Sequence, residues 1–430
     1  MNQEKQGKNI ITIIAMMFLY AMIAFVTNLA APVGEIWEKS FENSNNILGM
    51  LGNMMNFAAY LVMGIPAGKL LTKLGYKKTS LIAIAVGLLG VFIQYLSGVS
   101  NSFVVYLLGA FVCGFSVCML NTVVNPMLNL LGGGGKRGNQ LNLVGGTLNS
   151  LSGTLTPMVV GALIGSSLEG KTITDVNLVL YVAMAVFIIV GLVIFFAPIA
   201  EPERVTENTK FERSPWAFRH FVLGTCAIFV YVGVEIGIPG TLISYLSDID
   251  NGWGSSLSYQ TATFIAGLYW LLMLVGRFIG SLIGGNVSSR TMVVCVSIVA
   301  IVLMLIAMFW GNGVMVKMPI NWAFEIGSVP LAALLLILCG LCTSVMWGCI
   351  FNMSVEGLGK YTAAASGIFM MMVVGGGIVP LIQSSLADVF AVAGGQGFLY
   401  SYIVPIVGVA YILYYALIGA KNVNTDIKVD

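Results

Sequence analysis

Long apolar runs alternate with short polar breaks along the whole sequence. A helix needs about 20 apolar residues to cross the hydrocarbon core of a bilayer, and most runs reach that length. The pattern predicts an all-α membrane protein with twelve transmembrane helices, at residues 10–32, 46–71, 79–98, 103–131, 140–166, 178–198, 218–247, 259–285, 290–311, 330–356, 361–387 and 397–420.

The most charged stretch of the chain, residues 201–213, falls between the sixth and seventh predicted spans. It predicts a cytoplasmic linker at 201–217 between an N-terminal six-helix bundle at 1–200 and a C-terminal six-helix bundle at 218–430. The two parts also resemble each other, because Asn28 and Glu235 each stand four positions before a proline in corresponding spans. We therefore expect two bundles related by pseudo-twofold symmetry, with a binding site between them.

Composition restricts the environment of the chain. Of its residues 58% are hydrophobic and only 9% are charged, which excludes a soluble domain and makes the lipid bilayer its surroundings. The net charge of +2 gives no reason to expect a nucleic-acid partner. All seven cysteines lie in apolar stretches, so we expect neither disulfides nor a metal site. The sequence predicts a monomer.

The basic residues predict the orientation of the chain in the membrane. With a cytoplasmic amino terminus, only Lys39, Lys171 and Lys317 lie outside, and the other 17 lysines and arginines lie on or toward the inside. This asymmetry follows the positive-inside rule. It predicts a multi-pass protein of the cell inner membrane with both termini in the cytoplasm.

Two charged side chains lie well inside predicted spans. Glu235 is near the middle of the seventh span, where a carboxylate is costly and is normally retained for a partner or an ion. We predict a substrate-binding and coupling role for it; the structural alternative is a glutamate hydrogen-bonded to a neighbouring helix. Arg277 is predicted to have a gating or structural role, either snorkelling or pairing with Glu356 at the inner end of the tenth span.

Sugars are bound by amides and carboxylates that match their hydroxyls and by aromatic rings that cover their apolar faces. Many amides in one membrane protein are costly unless they line a wet cavity, although each amide alone is about as likely to join helices. The predicted substrate-binding residues are Asn28, Asn56, Asn121, Asn125, Asn149, Tyr231, Glu235, Tyr269, Trp270, Trp347, Asn352 and Gln383.

Several motifs carry a family resemblance. The stretch from Gly64 to Lys78 resembles the signature between the second and third helices of the major facilitator superfamily. Lys77 and Lys78 are its basic residues, and we predict a gating or structural role for them. Other stretches are similar to the fucose permease and glucose/galactose transporter branch. They are Asn125-Pro126, Leu141-Asn-Leu143, Tyr231-Val-Gly-Val-Glu235, Val275-Gly-Arg-Phe-Ile-Gly280 and Glu356-Gly-Leu-Gly-Lys360.

The resemblance implies a secondary transporter that imports a monosaccharide, a hexose or deoxyhexose, by alternating access. Fucose permeases are associated with acids at the positions that match Asn28 and Asn121, and neither asparagine can titrate. Glu235 is therefore the candidate for coupling to a proton or sodium, and no other cofactor is implied. A facilitator, a carrier of another polar solute and a nutrient sensor stay open as alternatives, whereas no acid, serine–histidine or metal cluster is spaced with Glu235 for an enzyme.

Overall fold

The computed structural model describes residues 2–39, 46–131, 135–164, 173–199, 213–247, 256–284, 287–392, 397–424 and 427. These residues are almost entirely helical. The α-helices are α1 Asn2–Lys39, α2 Asn46–Ser100, α3 Phe103–Leu131, α4 Gly135–Ile164, α5 Asn177–Phe196, α6 Arg219–Ser247, α7 Tyr259–Ile283, α8 Ser289–Trp310, α9 Leu331–Thr343, α10 Met346–Val355, α11 Thr362–Met371, α12 Gly375–Val392, α13 Gly397–Tyr400 and α14 Ile403–Tyr414.

Eleven segments of the described helices are long and apolar enough to cross a membrane, and they coincide with eleven of the predicted spans. The predicted span at 140–166 falls on α4, which is helical but more polar than the others. Its asparagines and glycines lower its mean hydropathy. Several of them lie on a face of α4 that lines an internal cavity, described below. The predicted all-α membrane fold is confirmed.

The second and third predicted spans lie within α2 and are separated at Gly75. That residue has φ 83° and ψ 178°, a backbone conformation essentially restricted to glycine. Two helical segments of α2, Leu51–Leu71 and Lys73–Ser100, are each long enough to cross the membrane, and Gly75 lies near the start of the second. Gly75 therefore provides the sharp reversal that allows two crossings to follow each other with hardly any loop.

Later spans are interrupted near their middles. The tenth span consists of α9 and α10, with Ser344 and Val345 between them. In the eleventh span a 3₁₀ turn at Met372–Val374 separates α11 from α12. Such interruptions release backbone groups from the regular helical pattern, which membrane proteins tolerate where other protein groups or a wet cavity satisfy them.

A β-hairpin that hydropathy does not predict joins α8 to α9. Its strands are β1 Met315–Pro319 and β2 Ile326–Pro330, paired antiparallel with Met315 opposite Pro330. The side-chain oxygen of Asn321 organises the turn, since it accepts from the backbone N–H groups of Ala323 at 3.0 Å and Glu325 at 3.2 Å. The hairpin lies at the end of the molecule where α7 and α9 begin.

The helices before the predicted linker, α1–α5, are called the first set, and α6–α14 the second set. Helix α4 packs against α7 and α2 packs against α12, so these two pairs join the sets. Close approach is possible because a Cβ at Gly377 would lie 2.9 Å from Cα of Met54. Residues 200–212, most of the predicted linker, lie outside the described residues, and the division into two bundles stays a prediction.

Candidate functional site

A cavity of about 880 Å³ lies between the two sets of helices, within the size range of small-molecule sites. Its walls come from α1, α2, α3 and α4 of the first set and from α6, α7, α10 and α11 of the second. Gly284, Val287 and Ser288 also line it, so the cavity reaches the loop that joins α7 to α8. This central cavity contains most of the predicted substrate-binding residues.

The first set supplies amides to the wall. Asn28, Asn121, Asn125 and Asn149 all line the central cavity. Several are held by hydrogen bonds that fix their direction. The Nδ2 of Asn121 donates to the Tyr60 hydroxyl at 2.8 Å, and the Nδ2 of Asn149 donates to the carbonyl of Tyr20 at 3.0 Å. Amides oriented in this way present fixed polar groups to a bound solute.

Tyrosines and a further asparagine on the wall were not predicted. The hydroxyl of Tyr20 donates to the side-chain oxygen of Asn125. The same hydroxyl lies 3.4 Å from the side-chain oxygen of Asn142. Asn142 lies on the same face of α4 as Gly146 and Asn149, at positions i, i+4 and i+7, and all three line the cavity. The helical spacing from Asn149 could have identified Asn142; no comparable signal marks Tyr20 or Tyr60.

The second set supplies the tryptophans. Trp270 and Trp347 line the central cavity, together with Asn352. The predicted ligands Tyr231 and Tyr269 do not line it; they lie behind the tryptophans, fully buried. The ring of Tyr231 is 6.2 Å from that of Trp347, and the ring of Tyr269 stands edge-on to Trp270 at 5.4 Å. Both tyrosines therefore position the cavity wall without forming part of it.

The two phenols also secure the interruption between α9 and α10. The Tyr231 hydroxyl donates to the carbonyl of Thr343 at 3.2 Å, and the Tyr269 hydroxyl lies 2.8 Å from Oγ1 of the same threonine. Thr343 is the last residue of α9, and Ser344 after it lines the cavity. The buried phenols thus hold the broken helix at the point where its backbone meets the site.

Glu235 and Arg277 form an ion pair on the cavity wall. Nη2 of Arg277 lies 3.4 Å from Oε1 of Glu235, and about a tenth of each side chain is exposed. Nη1 of the same arginine donates across the interface to the carbonyl of Gly146 at 2.6 Å and to Oγ of Ser150 at 2.8 Å. One guanidinium therefore links a carboxylate of the second set to α4 of the first.

Of the two alternatives predicted for Arg277, snorkelling or pairing with Glu356, the second was wrong, because the arginine pairs with Glu235. Glu356 is exposed, and its backbone carbonyl lies 2.9 Å from Nε2 of the buried His220. Of the two signature lysines, Lys77 donates to the carbonyl of Ala197 at 2.8 Å, just beyond the end of α5, and Lys78 is exposed. Arg277 finds a carboxylate one helix away in α6, which hydropathy cannot reveal.

Two further predicted ligands lie outside the central cavity. Asn56 is buried against α3, where a Cβ at Gly114 would overlap its carbonyl oxygen, whereas Phe57 and Tyr60 are the α2 side chains that face the site. A one-residue step turns a side chain by about 100° around a helix, which accounts for the difference. Gln383 is fully buried, and its amide has no partner among the described residues.

Comparison with known proteins agrees with this architecture. Residues 13–381 match the model of the Major Facilitator Superfamily. The glucose/galactose transporter of Brucella abortus is 29% identical, over 98% of this chain and 96% of the relative. The L-fucose-proton symporter of Escherichia coli is 24% identical, over 87% and 85%. A crystal structure of the transporter FucP in the outward conformation has the same fold, with a TM-score of 0.72 at 19% identity over 96% of this chain and 100% of that one.

Proposed function

This chain belongs to the Major Facilitator Superfamily, a family of membrane transporters, and we propose that it imports a monosaccharide by alternating access. The relatives named as glucose/galactose and L-fucose carriers support a hexose or deoxyhexose as the substrate. The observation that carries the proposal is the wall of the central cavity, where oriented amides face Trp270 and Trp347. Amides match ring hydroxyls, and aromatic rings cover the apolar faces of a sugar.

With the orientation that we propose for the chain, the position of the cavity indicates the state of the transporter. With both termini in the cytoplasm of a cell whose inner membrane holds the chain, the loop between α7 and α8 is cytoplasmic. The central cavity reaches that loop and therefore corresponds to an inward-facing state.

Glu235 is the group that we assign to coupling, with a proton or sodium as the ion. A proton or cation on Glu235 competes with Arg277 for the carboxylate. Arg277 then keeps its bonds to Gly146 and Ser150 of the first set but loses its attachment to α6. Occupancy of Glu235 thus changes a contact between the moving parts, which is what coupling of an ion gradient to alternating access requires.

Binding of a sugar panel to the purified protein tests the proposal. We expect one or more hexoses or deoxyhexoses to bind. Trp347→Ala should weaken that binding at least tenfold, because an apolar face of the sugar no longer contacts an aromatic ring. Trp310→Ala is the matched control, since Trp310 is exposed at the end of α8, away from the cavity. Absence of binding at every pH, with and without sodium, would contradict a sugar site.

A further inference from the structure

A second, smaller pocket lies at the opposite end of the molecule from the α7–α8 loop. Its volume is about 170 Å³, and it is enclosed by the first turns of α7, the turn of the β-hairpin and Met158 of α4. If each water molecule occupies roughly 15 Å³ of this volume, the pocket holds on the order of ten waters. A single hexose takes up a similar space. This space is called the hairpin pocket.

The lining of the hairpin pocket combines hydroxyl and amide groups with aromatic rings. Gln260 and Thr263 contribute polar side chains from α7, while Phe264 and Trp322 contribute rings 5.8 Å apart. The hydroxyl of Thr263 donates to the carbonyls of Tyr259 and Gln260, both at 3.0 Å, so its oxygen can still accept from a ligand. These are the same two kinds of group that line the central cavity.

Met158 lies on the α4–α7 interface between the hairpin pocket and the central cavity. Phe264 lines the pocket and Trp270 lines the cavity, six residues apart on α7, or about 9 Å along the helix axis. Between them Met158 packs on Gly267, where a Cβ would lie 2.6 Å from the methionine methyl group. Methionine is flexible and adapts to its surroundings. The two spaces therefore lie one after the other along the interface of α4 and α7.

We propose that the hairpin pocket is a second binding site for one sugar ring, on the same route as the central cavity and closed from it by Met158. Trp322 and Phe264 cover an apolar face of the ring, and Gln260 and Thr263 bond to its hydroxyls. This inference rests on the proposed sugar transport. It goes beyond it by assigning the β-hairpin a part in binding.

Fluorine NMR of protein labelled with 5-fluorotryptophan tests the second site. The chain has seven tryptophans, and Trp322→Phe and Trp270→Phe assign the two resonances that matter. In Trp347→Ala, where the central site is weakened, we expect the Trp322 resonance still to shift on titration with glucose, galactose or fucose. Gln260→Ala and Thr263→Val should each weaken that titration at least threefold and leave the Trp270 titration unchanged.

Phe324→Ala is the matched control, because Phe324 is an exposed aromatic residue of the same hairpin that does not line the pocket. In Phe324→Ala, the Trp322 resonance should titrate with sugar as it does in the unaltered protein. A Trp322 shift that disappears in Trp347→Ala would overturn the second site, since Trp322 would then only report on the central one. A response at Trp270 without one at Trp322 would overturn it as well. If neither resonance responds to any sugar, the proposed function itself fails.

Discussion

Glu235 and Arg277 are the charged side chains among the described residues that line the central cavity. Both are nearly buried, and placing two charges inside a membrane protein is costly even when they pair. A purely packing role could be filled by apolar residues. The pair is therefore better explained by a function in which one partner changes its charge or its contact.

Glu235→Gln keeps the shape of the side chain and removes its charge. We expect it to abolish gradient-driven accumulation of sugar in proteoliposomes while counterflow continues, since only coupling requires the carboxylate. Glu325→Gln is the matched control, because Glu325 is an exposed acid of the hairpin turn. Accumulation by Glu235→Gln at the level of the unaltered protein would exclude the coupling role.

Arg277→Lys keeps the charge and loses the planar fork that reaches Glu235, Gly146 and Ser150 together. Loss of one charge-assisted hydrogen bond costs about 1.5–3 kcal/mol, so we expect counterflow to slow roughly tenfold to a hundredfold. Arg290→Lys on α8 serves as the control. Counterflow that is unchanged in Arg277→Lys would show that a positive charge at position 277 is sufficient for exchange and that the planar guanidinium is not required.

At the scale of helices, one proline leaves a carbonyl that a side chain of another helix satisfies. Pro380 cannot donate to the carbonyl of Gly376, and the Nδ2 of Asn53 donates to it instead at 3.3 Å. Asn53 is on α2 and Gly376 on α12, so this contact joins the first and second sets. A break in one helix thus becomes a polar contact between the two parts that must move.

Gly75→Ala tests the turn inside α2. A Cβ at φ 83° and ψ 178° is strained by about 1–3 kcal/mol, so we expect the free energy of unfolding in detergent to fall by that amount. Gly68→Ala is the control from the same signature, since a Cβ there meets no atom within 4 Å and alanine favours a helix. Equal stability of the two variants would contradict a requirement for glycine at position 75.

Hydropathy located the helices because each crossing must be long and apolar, and it was least informative where an element departs from that rule. Helix α4 fell below the usual apolar content because Asn142 and Asn149 face the cavity. The hairpin was missed because its five-residue strands are too short to produce a periodic signal. Whether a polar residue faces a cavity depends on its neighbours in space, so Asn56 and Gln383 were predicted on the wall although they lie behind it.

At the scale of the whole molecule, the site is shared unequally by the two sets. Amides come mainly from the first set, and tryptophans and charges come from the second. The sequence supported the group of amides and the importance of Glu235. It could not supply the contact of Arg277 with α4, because this contact joins residues 131 positions apart. Partners across the interface are fixed only by the way the two sets pack.

A cross-link between the sets tests their relative motion. Met158→Cys combined with Gly267→Cys places two thiols across the α4–α7 contact, where the native methionine touches the glycine. In a background in which the seven native cysteines are replaced, oxidation should stop counterflow and reduction should restore it. Neither single variant should respond to the oxidant. Full exchange by the cross-linked protein would show that this end of the interface does not open during transport.

Counterflow of labelled sugar into proteoliposomes loaded with the same unlabelled sugar is the most direct test of the central claim. It needs no ion gradient, and therefore reports on the carrier whether or not Glu235 is coupled to an ion. We expect a transient accumulation of label for at least one hexose or deoxyhexose, abolished in the oxidised Met158→Cys, Gly267→Cys protein. Tight binding of a sugar without any exchange of label would contradict transport by this chain.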